Sequence, residues 1–349
     1  MSVSVRFLNA FHGDCILITI GSEASAKRIL IDGGPPNTFS ASPRGELRTL
    51  LSELELQKKN IDLVVLTHVD DDHIGGLIKA FESEDGLTKI ARRVLFNSGR
   101  LIHEYFKVDP DPEKDISGNF TQAQSTSIAQ GNTLERLLID KKIWHEKVIK
   151  QGDVCQLGGS DLHFLSPSEA ELEKLLGKWV KEQPSPFTSA ANTDWNASYE
   201  KLLAGDRFKE DESVTNGSSL SFILRVDGKS FLFLGDAHPT TVSEGLINLG
   251  YTKDKPLIAE LVKVSHHGSK GNTSAELLSL IRCSKYVVST DGSRHGLPNK
   301  VTLARIHQIN SNAEIYFNYE AVLSDVYTKE ELTQLKAKVK ALSGELKFA

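Results

Sequence analysis

Three consecutive aspartates, Asp70, Asp71 and Asp72, lie between His68 and His73 in the stretch LTHVDDDHIGG, directly after the apolar run Leu63-Val64-Val65-Leu66. Neighbouring carboxylates repel one another, and carboxylates at the end of a buried strand are costly unless paired or bound to a cation. Alone, the triplet would be a solvated acidic turn. With an imidazole on each side it becomes a candidate ligand set, because imidazole and carboxylate together suit divalent metals. Three later segments share this construction, an apolar run ending in a polar, glycine-containing turn. They are Leu234-Gly235-Asp236, Val264-Ser265-His266-His267-Gly268-Ser269, and Ser289 to Pro298. Turns after the strands of an α/β sheet gather along one edge, where ligands bind. Asp71 is expected to face solvent, and His12 and Asp14, in the turn before a strand, either border the cluster or sit at the surface.

The elements that must position these turns are legible as hydrophobic patterns. Val3–Ala10, Cys15–Ile20 and Arg28–Ile31 read as strands, the last running into Asp32-Gly33-Gly34. Glu46–Lys58 has Leu47, Leu50, Leu51 and Leu54 at helical spacing, Asp62–Thr67 is a strand, and Ile74–Phe81 is a helix opening straight after His73. The pattern weakens over variable loops at about 98–133, and Thr133–Lys150 reads as an amphipathic helix. Ser168–Lys181 is a helix with a capping box from Ser168 and Glu171, and it opens an expected insertion at about 168–215, a lid or partner surface. Ser219–Val226 and Ser230–Leu234 form a hairpin about Asp227-Gly228 that leads into Gly235-Asp236, as the earlier strands lead into Asp32-Gly33. This repeated grammar predicts an α/β chain with an internally duplicated αβ/βα sandwich over residues 1–327. Residues 328–349 read as a polar C-terminal helix, solvated or partner-binding.

Composition bounds the function. A chain of 349 residues with 39% hydrophobic and 25% charged residues belongs to a soluble globular protein, and a net charge of -5 argues against a generally basic nucleic-acid coat. Cys15, Cys155 and Cys283 are far apart and form no C-x-x-C pair, which points to a reducing, cytoplasmic setting and not to a disulfide framework. No apolar segment approaches a membrane span, so no membrane partner is expected.

THVDDDHIGG resembles the metal motif H-x-H-x-D-H of the metallo-β-lactamase superfamily, with Asp70 where most members have histidine. With GDCILI, ILIDGG, NGSSL, LFLGD and VSHHGS, in that family's order from Gly13 to Pro298, the chain is similar to the nuclease-like soluble domain of the ComEC competence-protein family. The resemblance implies an αβ/βα four-layer sandwich holding two divalent ions, zinc or manganese. His68 and Asp70 would hold one ion, Asp72 and His73 the other, Asp236 would bridge them, and His266 or His267 would add a ligand to the second. The remaining histidine of that pair would touch substrate. Many superfamily members complete the first ion with a histidine where this chain has Asn216, which is expected to contact substrate instead.

Charge supports this reading independently, since three aspartates and one bridging hydroxide neutralise two divalent ions. That hydroxide would be the nucleophile, because a metal can bring water's pKa down to roughly 7. Asp70 in place of an imidazole hardens the site towards manganese. Lys270 and Arg294, in turns near His266 and His267, are candidate phosphate-gripping residues, although the local Lys/Arg surplus is equally a solvated face. Arg294-His295-Gly296-Leu297-Pro298 departs from the related Tyr-Gly-His-Pro-like segment, leaving His295 as a candidate proton donor and Asp72 as the central catalytic residue. The reading is a metal-dependent phosphodiesterase or nuclease acting on DNA or RNA. The alternatives are a hydrolase of a small phosphodiester, lactone or thioester, and a non-catalytic interaction module.

Overall fold

A computed structural model describes residues 1–22, 25–108, 127–181, 193–335 and 338–349. Part of the expected variable loops, 109–126, and part of the expected insertion, 182–192, lie outside the described residues. The strands in chain order are β1 (Val3–Phe7), β2 (Ile16–Ile20), β3 (Lys27–Ile31), β4 (Leu63–Val65), β5 (Val94–Leu95), β6 (Val154–Leu157), β7 (Ser160–Ser166) and β8 (Ser221–Val226). They continue as β9 (Lys229–Phe233), β10 (Leu257–Ala259), β11 (Leu261–Lys263), β12 (Ile281–Cys283), β13 (Lys285–Val288), β14 (Glu314–Phe317), β15 (Val339–Ala341) and β16 (Glu345–Phe348). One sheet runs β16-β1-β2-β3-β4-β5 and a second runs β15-β14-β13-β11-β9-β8-β7-β6, with β10 and β12 a small separate pair.

The period-2 pattern of the strands builds four layers. Ile16, Ile18, Ile29, Ile31, Leu63 and Val65 of the first sheet meet Phe222, Leu224, Phe231 and Phe233 of the second in one core between the sheets. Their neighbours Leu17, Leu30 and Val64 face the other way, onto helices Glu46–Leu56 and Asp71–Glu82. On the second sheet Ile223, Leu232, Val262 and Tyr286 face a third core, under helices Pro239–Asn248 and Lys300–Ile309. Each sheet is therefore covered by helices outside and by the other sheet inside, the αβ/βα sandwich that the repeated pattern predicts. The hairpin turn also sits where expected, at Asp227 and Gly228, both with positive φ (47° and 77°) as a two-residue connection of this kind requires. Among the described residues no helix is long and apolar enough to cross a membrane.

Two expectations are corrected. The segment after 328 is helical only over Lys329–Leu335; it then adds β15 beside β14 and β16 beside β1. The chain end thus covers one open edge of each sheet, with Val339 and Phe348 buried and the Phe348 ring edge-on to Phe231 at 5.0 Å. Polar composition hid this, because the two strands are short and only a few of their side chains are buried. The helix expected at Thr133–Lys150 lies instead at Ser127–Lys141, and Trp144 beyond it bridges to Val94 of β5.

The described part of the insertion is held by polar clamps. Ser168 and Glu171 form the capping box of helix Glu169–Lys181. Asp194 accepts hydrogen bonds from the Lys300 and Val301 amides at the start of helix Lys300–Ile309, and Trp195 Nε1 donates to the Pro298 carbonyl. Arg305 forks onto Asp206 at 2.6 and 2.7 Å.

Candidate metal centre

The acidic stretch, Asp236 and the two histidines leave the carboxyl ends of β4, β9 and β11, parallel neighbours within their sheets, as open α/β sheets favour for ligand sites. Loop backbones interlock behind them. Asp14 N–H donates to the Asp72 carbonyl at 3.2 Å and Gly33 N–H to the His73 carbonyl at 2.8 Å. Gly13 permits that approach, since a Cβ there would overlap the Asp72 carbonyl. His266 and His267 both have positive φ, 45° and 53°, a strained conformation for two successive non-glycine residues. Its result is geometric: the two rings diverge, with centroids 5.9 Å apart at 71°.

Four imidazoles converge on one carboxylate oxygen. Asp236 Oδ2 lies 3.9 Å from His68 Nε2, 3.4 Å from His73 Nε2, 3.7 Å from His266 Nε2 and 3.8 Å from His267 Nε2. The neighbouring carboxylates keep the same spacing, with Asp70 3.6 Å from His68, Asp72 3.9 Å from His73 and Asp72 3.6 Å from His267. Ligand atoms on one ion at about 2.0–2.2 Å stand roughly 3–4 Å apart, so this set fits divalent cations. The Nε2 atoms of His68, His73 and His267 are buried without any hydrogen-bond partner. Their Nδ1 atoms are occupied. His73 Nδ1 meets Asp32 at 2.8 Å, His267 Nδ1 donates to the Ser289 carbonyl at 2.7 Å, and His68 Nδ1 lies 3.1 Å from Thr67 Oγ1. A proton fixed at Nδ1 leaves Nε2 as a lone pair, the arrangement of metal-ligating histidine. Asp32 also accepts from Thr67 N and Oγ1, both at 2.7 Å, and so anchors the start of the metal loop.

The buried carboxylates and imidazoles of the cluster shift one another strongly. Burial alone would raise the Asp72 and Asp236 carboxyls, but His73 and His267, joined at Asp236 by His266, hold both well below the carboxylate range. Burial would lower His73, yet Asp236, Asp72 and Asp32 pull it well above its ordinary value. His266 is likewise pulled up to about 9, against burial, by Asp236 and Asp211. Asp14, His73, Asp236 and His267 are all buried and offer ligand atoms within 4.8 Å of one another. The second Asp14 oxygen is engaged by the buried ammonium of Lys263, so Asp14 borders the centre as one of its two expected placements.

The centre floors a cavity of about 590 Å³. Asp70, Asp72, Asp236, His266 and His267 face it, while Lys270, Arg294 and His295 stand on its walls. His68 and His73 lie beneath, fully buried at the imidazole. Asp71 is exposed and takes a hydrogen bond from Gln130. Asn216 lines the cavity but its amide donates to Asp211 at 2.6 Å and approaches His266 Nδ1 at 3.4 Å, which makes it a support for His266. Lys209 and Asp211 also line the wall and were not read from the sequence as site members, while His12, one of whose two expected placements was beside the cluster, lines it too. The first two lie in the patternless insertion, which offered no periodic signal.

Residues 8–114, which carry the metal loop, match the metallo-beta-lactamase superfamily model. The fold is that of the metallo-β-lactamases. ComE operon protein 3 of Bacillus subtilis (strain 168) is 24% identical over 335 residues, 90% of this chain and 33% of that protein. The chain thus spans about a third of the length of the curated relative it matches. Solved metallo-β-lactamase-type structures align along its length at low identity. Zn(2+)-bound PqqB from Methylobacterium extorquens covers 100% of both chains at 11% identity and a TM-score of 0.42. The metallo-beta-lactamase fold protein YhfI from Bacillus subtilis covers 99% of both at 10% and 0.39.

Proposed function

We propose that this chain is a dinuclear-metal-dependent phosphodiesterase acting on nucleic acid. The observation that carries the reading is the convergence of four imidazole Nε2 atoms on Asp236 Oδ2 at 3.4–3.9 Å, on the floor of a cavity whose wall carries Lys209, Lys270 and Arg294 beside Glu210 and Asp211. His68 and Asp70 would hold one divalent ion, Asp72, His73 and His267 the other, and Asp236 both. When bound, the ions supply Lewis acidity and a nucleophile from water at neutral pH. The carboxylate of Asp70 favours a harder ion such as manganese without excluding zinc.

The chain's own groups do the rest. Lys209, Lys270 and Arg294 face the cavity and grip the anionic oxygens of the substrate. Burial holds the rings of His12 and His295 below their ordinary values, helped by Arg294 at both and by His266 at His295. Both are therefore neutral at pH 7 and act as hydrogen-bond partners to the reacting phosphate, His12 through its unpartnered Nε2. This role replaces the protonated acid expected of His295. The resemblance of its motifs to the nuclease-like ComEC domain favours a polymeric nucleic-acid substrate over a small one.

Metal binding must displace protons. The neighbouring carboxylates raise His73 and His266, so both hold a proton at pH 7 that a cation has to expel. Calorimetry in buffers of different ionisation enthalpy is expected to show proton release, and affinity should rise with pH up to about 9, the His266 value. Affinity independent of pH over that range would contradict this protonation pattern.

The functional test is incubation of circular single-stranded DNA, linear duplex DNA and RNA with manganese or zinc, beside Asp72→Asn. Cleavage that needs metal, weakens with salt and disappears in the variant is the expected result. Hydrolysis of small phosphodiesters alone would move the substrate class, and a metal-loaded chain inert on every phosphodiester would overturn the reading.

A further inference from the structure

His266 and His267 stand side by side in the chain but serve opposite sides of the centre. His267 belongs with Asp72: its Nε2 is 3.6 Å from Asp72 Oδ2, and its ring is fixed from behind by the Ser289 carbonyl. His266 lies against the segment that holds Asp70. Thr215 Oγ1 donates to Asp70 Oδ2 at 3.0 Å, and the next residue, Asn216, places its amide 3.4 Å from His266 Nδ1.

We infer that His266 is the third protein ligand of the ion held by His68 and Asp70, and that Asp211 is the positioning residue that turns it there. The inference rests on the dinuclear reading above. His266 Nε2 stands 3.7 Å from Asp236 Oδ2, within the spacing kept by the other three imidazoles. Its Nδ1 faces Asn272 Oδ1 at 3.0 Å and Asp211 Oδ2 at 3.6 Å, so a proton is held there and Nε2 is the nitrogen left to take a cation. Asp211 in turn accepts from Asn216 Nδ2 at 2.6 Å and from Asn272 Nδ2 at 3.0 Å, which ties both amides to one carboxylate. Asn216, at the place where many superfamily members have a ligating histidine, thus supports a histidine reached from another strand.

This cage is built from the insertion. Asp211 N–H donates to the Gly271 carbonyl at 3.1 Å. Arg305, forked onto Asp206 of the insertion, also donates to the carbonyls of Lys270 at 2.6 Å and Thr273 at 2.8 Å. The loop that carries Asn272 and the segment that carries Asp211 are therefore locked to the same guanidinium. A substrate contact alone would not require His266 to have its outer nitrogen held by the Asn272 amide oxygen with the Asp211 carboxylate beside it.

Equilibrium dialysis against zinc tests this, with the wild-type chain, His266→Ala, His266→Gln and Asp211→Asn, each checked for native near-ultraviolet circular dichroism. The wild type is expected to hold two ions per chain. Either His266 variant should hold one at the same free zinc, and Asp211→Asn should weaken only the weaker of the two sites, by roughly 10–100-fold, as loss of a ligand-orienting partner does. Cobalt substitution gives a second readout, with the visible absorption of one site lost in the His266 variants. Two tightly held ions in a folded His266 variant would overturn the inference and leave the dinuclear reading standing. Fewer than two ions in the wild type would overturn both.

Discussion

Asp236→Asn is expected to abolish hydrolysis and two-ion binding while leaving the fold intact. Among the described residues Asp236 is the only carboxylate that meets all four imidazoles, at 3.4–3.9 Å, and it is 2% exposed. An asparagine keeps the shape and the backbone hydrogen bond from Asp236 N–H to Ser219 Oγ, but not the charge. Four imidazoles would then face one another without a shared anion, and neither ion would keep its bridging ligand. Lewis-acid stabilisation of a transition state is worth several kcal/mol. Losing about 4 kcal/mol of it lowers kcat/KM on the order of a thousandfold. The check is steady-state hydrolysis of an activated phosphodiester beside circular dichroism of the same sample. A variant that keeps wild-type rates would show that the chemistry lies elsewhere.

Lys263→Met is expected to have the largest effect on stability. Lys263 and Asp14 are each 1% exposed, and they form an ion pair beneath the metal loops. Lys263 Nζ also approaches the Gly235 carbonyl at 3.5 Å, next to Asp236. Methionine fills the same volume but strands the Asp14 carboxylate, and breaking one side of a buried pair costs about 3–5 kcal/mol. Lys263→Met with Asp14→Asn should recover most of that loss, because no buried charge is then left alone. Urea denaturation of the four species of this cycle measures the coupling. A single Lys263→Met with unchanged midpoint would mean that the pair is not buried in solution.

The same two positions show how far the sequence alone reaches. The metal loop was legible because its ligands are local: strand, turn and helix put His68, Asp70, Asp72 and His73 within six residues, and the residue types suit one chemistry. Asp236 was legible because the hairpin before it repeats the one before Asp32. Lys263 was read only as part of a basic surplus, although it closes β11, a strand buried throughout, and its partner Asp14 lies far away in the chain. No local pattern joins two residues across two sheets. Asp211 was missed for a related reason. Its segment is held by forks, caps and amide bonds to helix Lys300–Ile309 and the Gly271 loop, and polar clamps of that kind leave no hydrophobic period to read. The roles of His266 and His267 could not be divided from sequence, because the division depends on two successive residues with positive φ. The strand-forming tail failed for want of a pattern too, since an edge strand of three or four residues needs only one or two buried side chains.

The most direct test of the dinuclear centre is anomalous diffraction from crystals grown with manganese, with data collected on both sides of the manganese absorption edge. The account predicts two peaks flanking Asp236, one beside His68 and Asp70 and the other beside Asp72, His73 and His267. A single peak, or none at full manganese occupancy in solution, would contradict it.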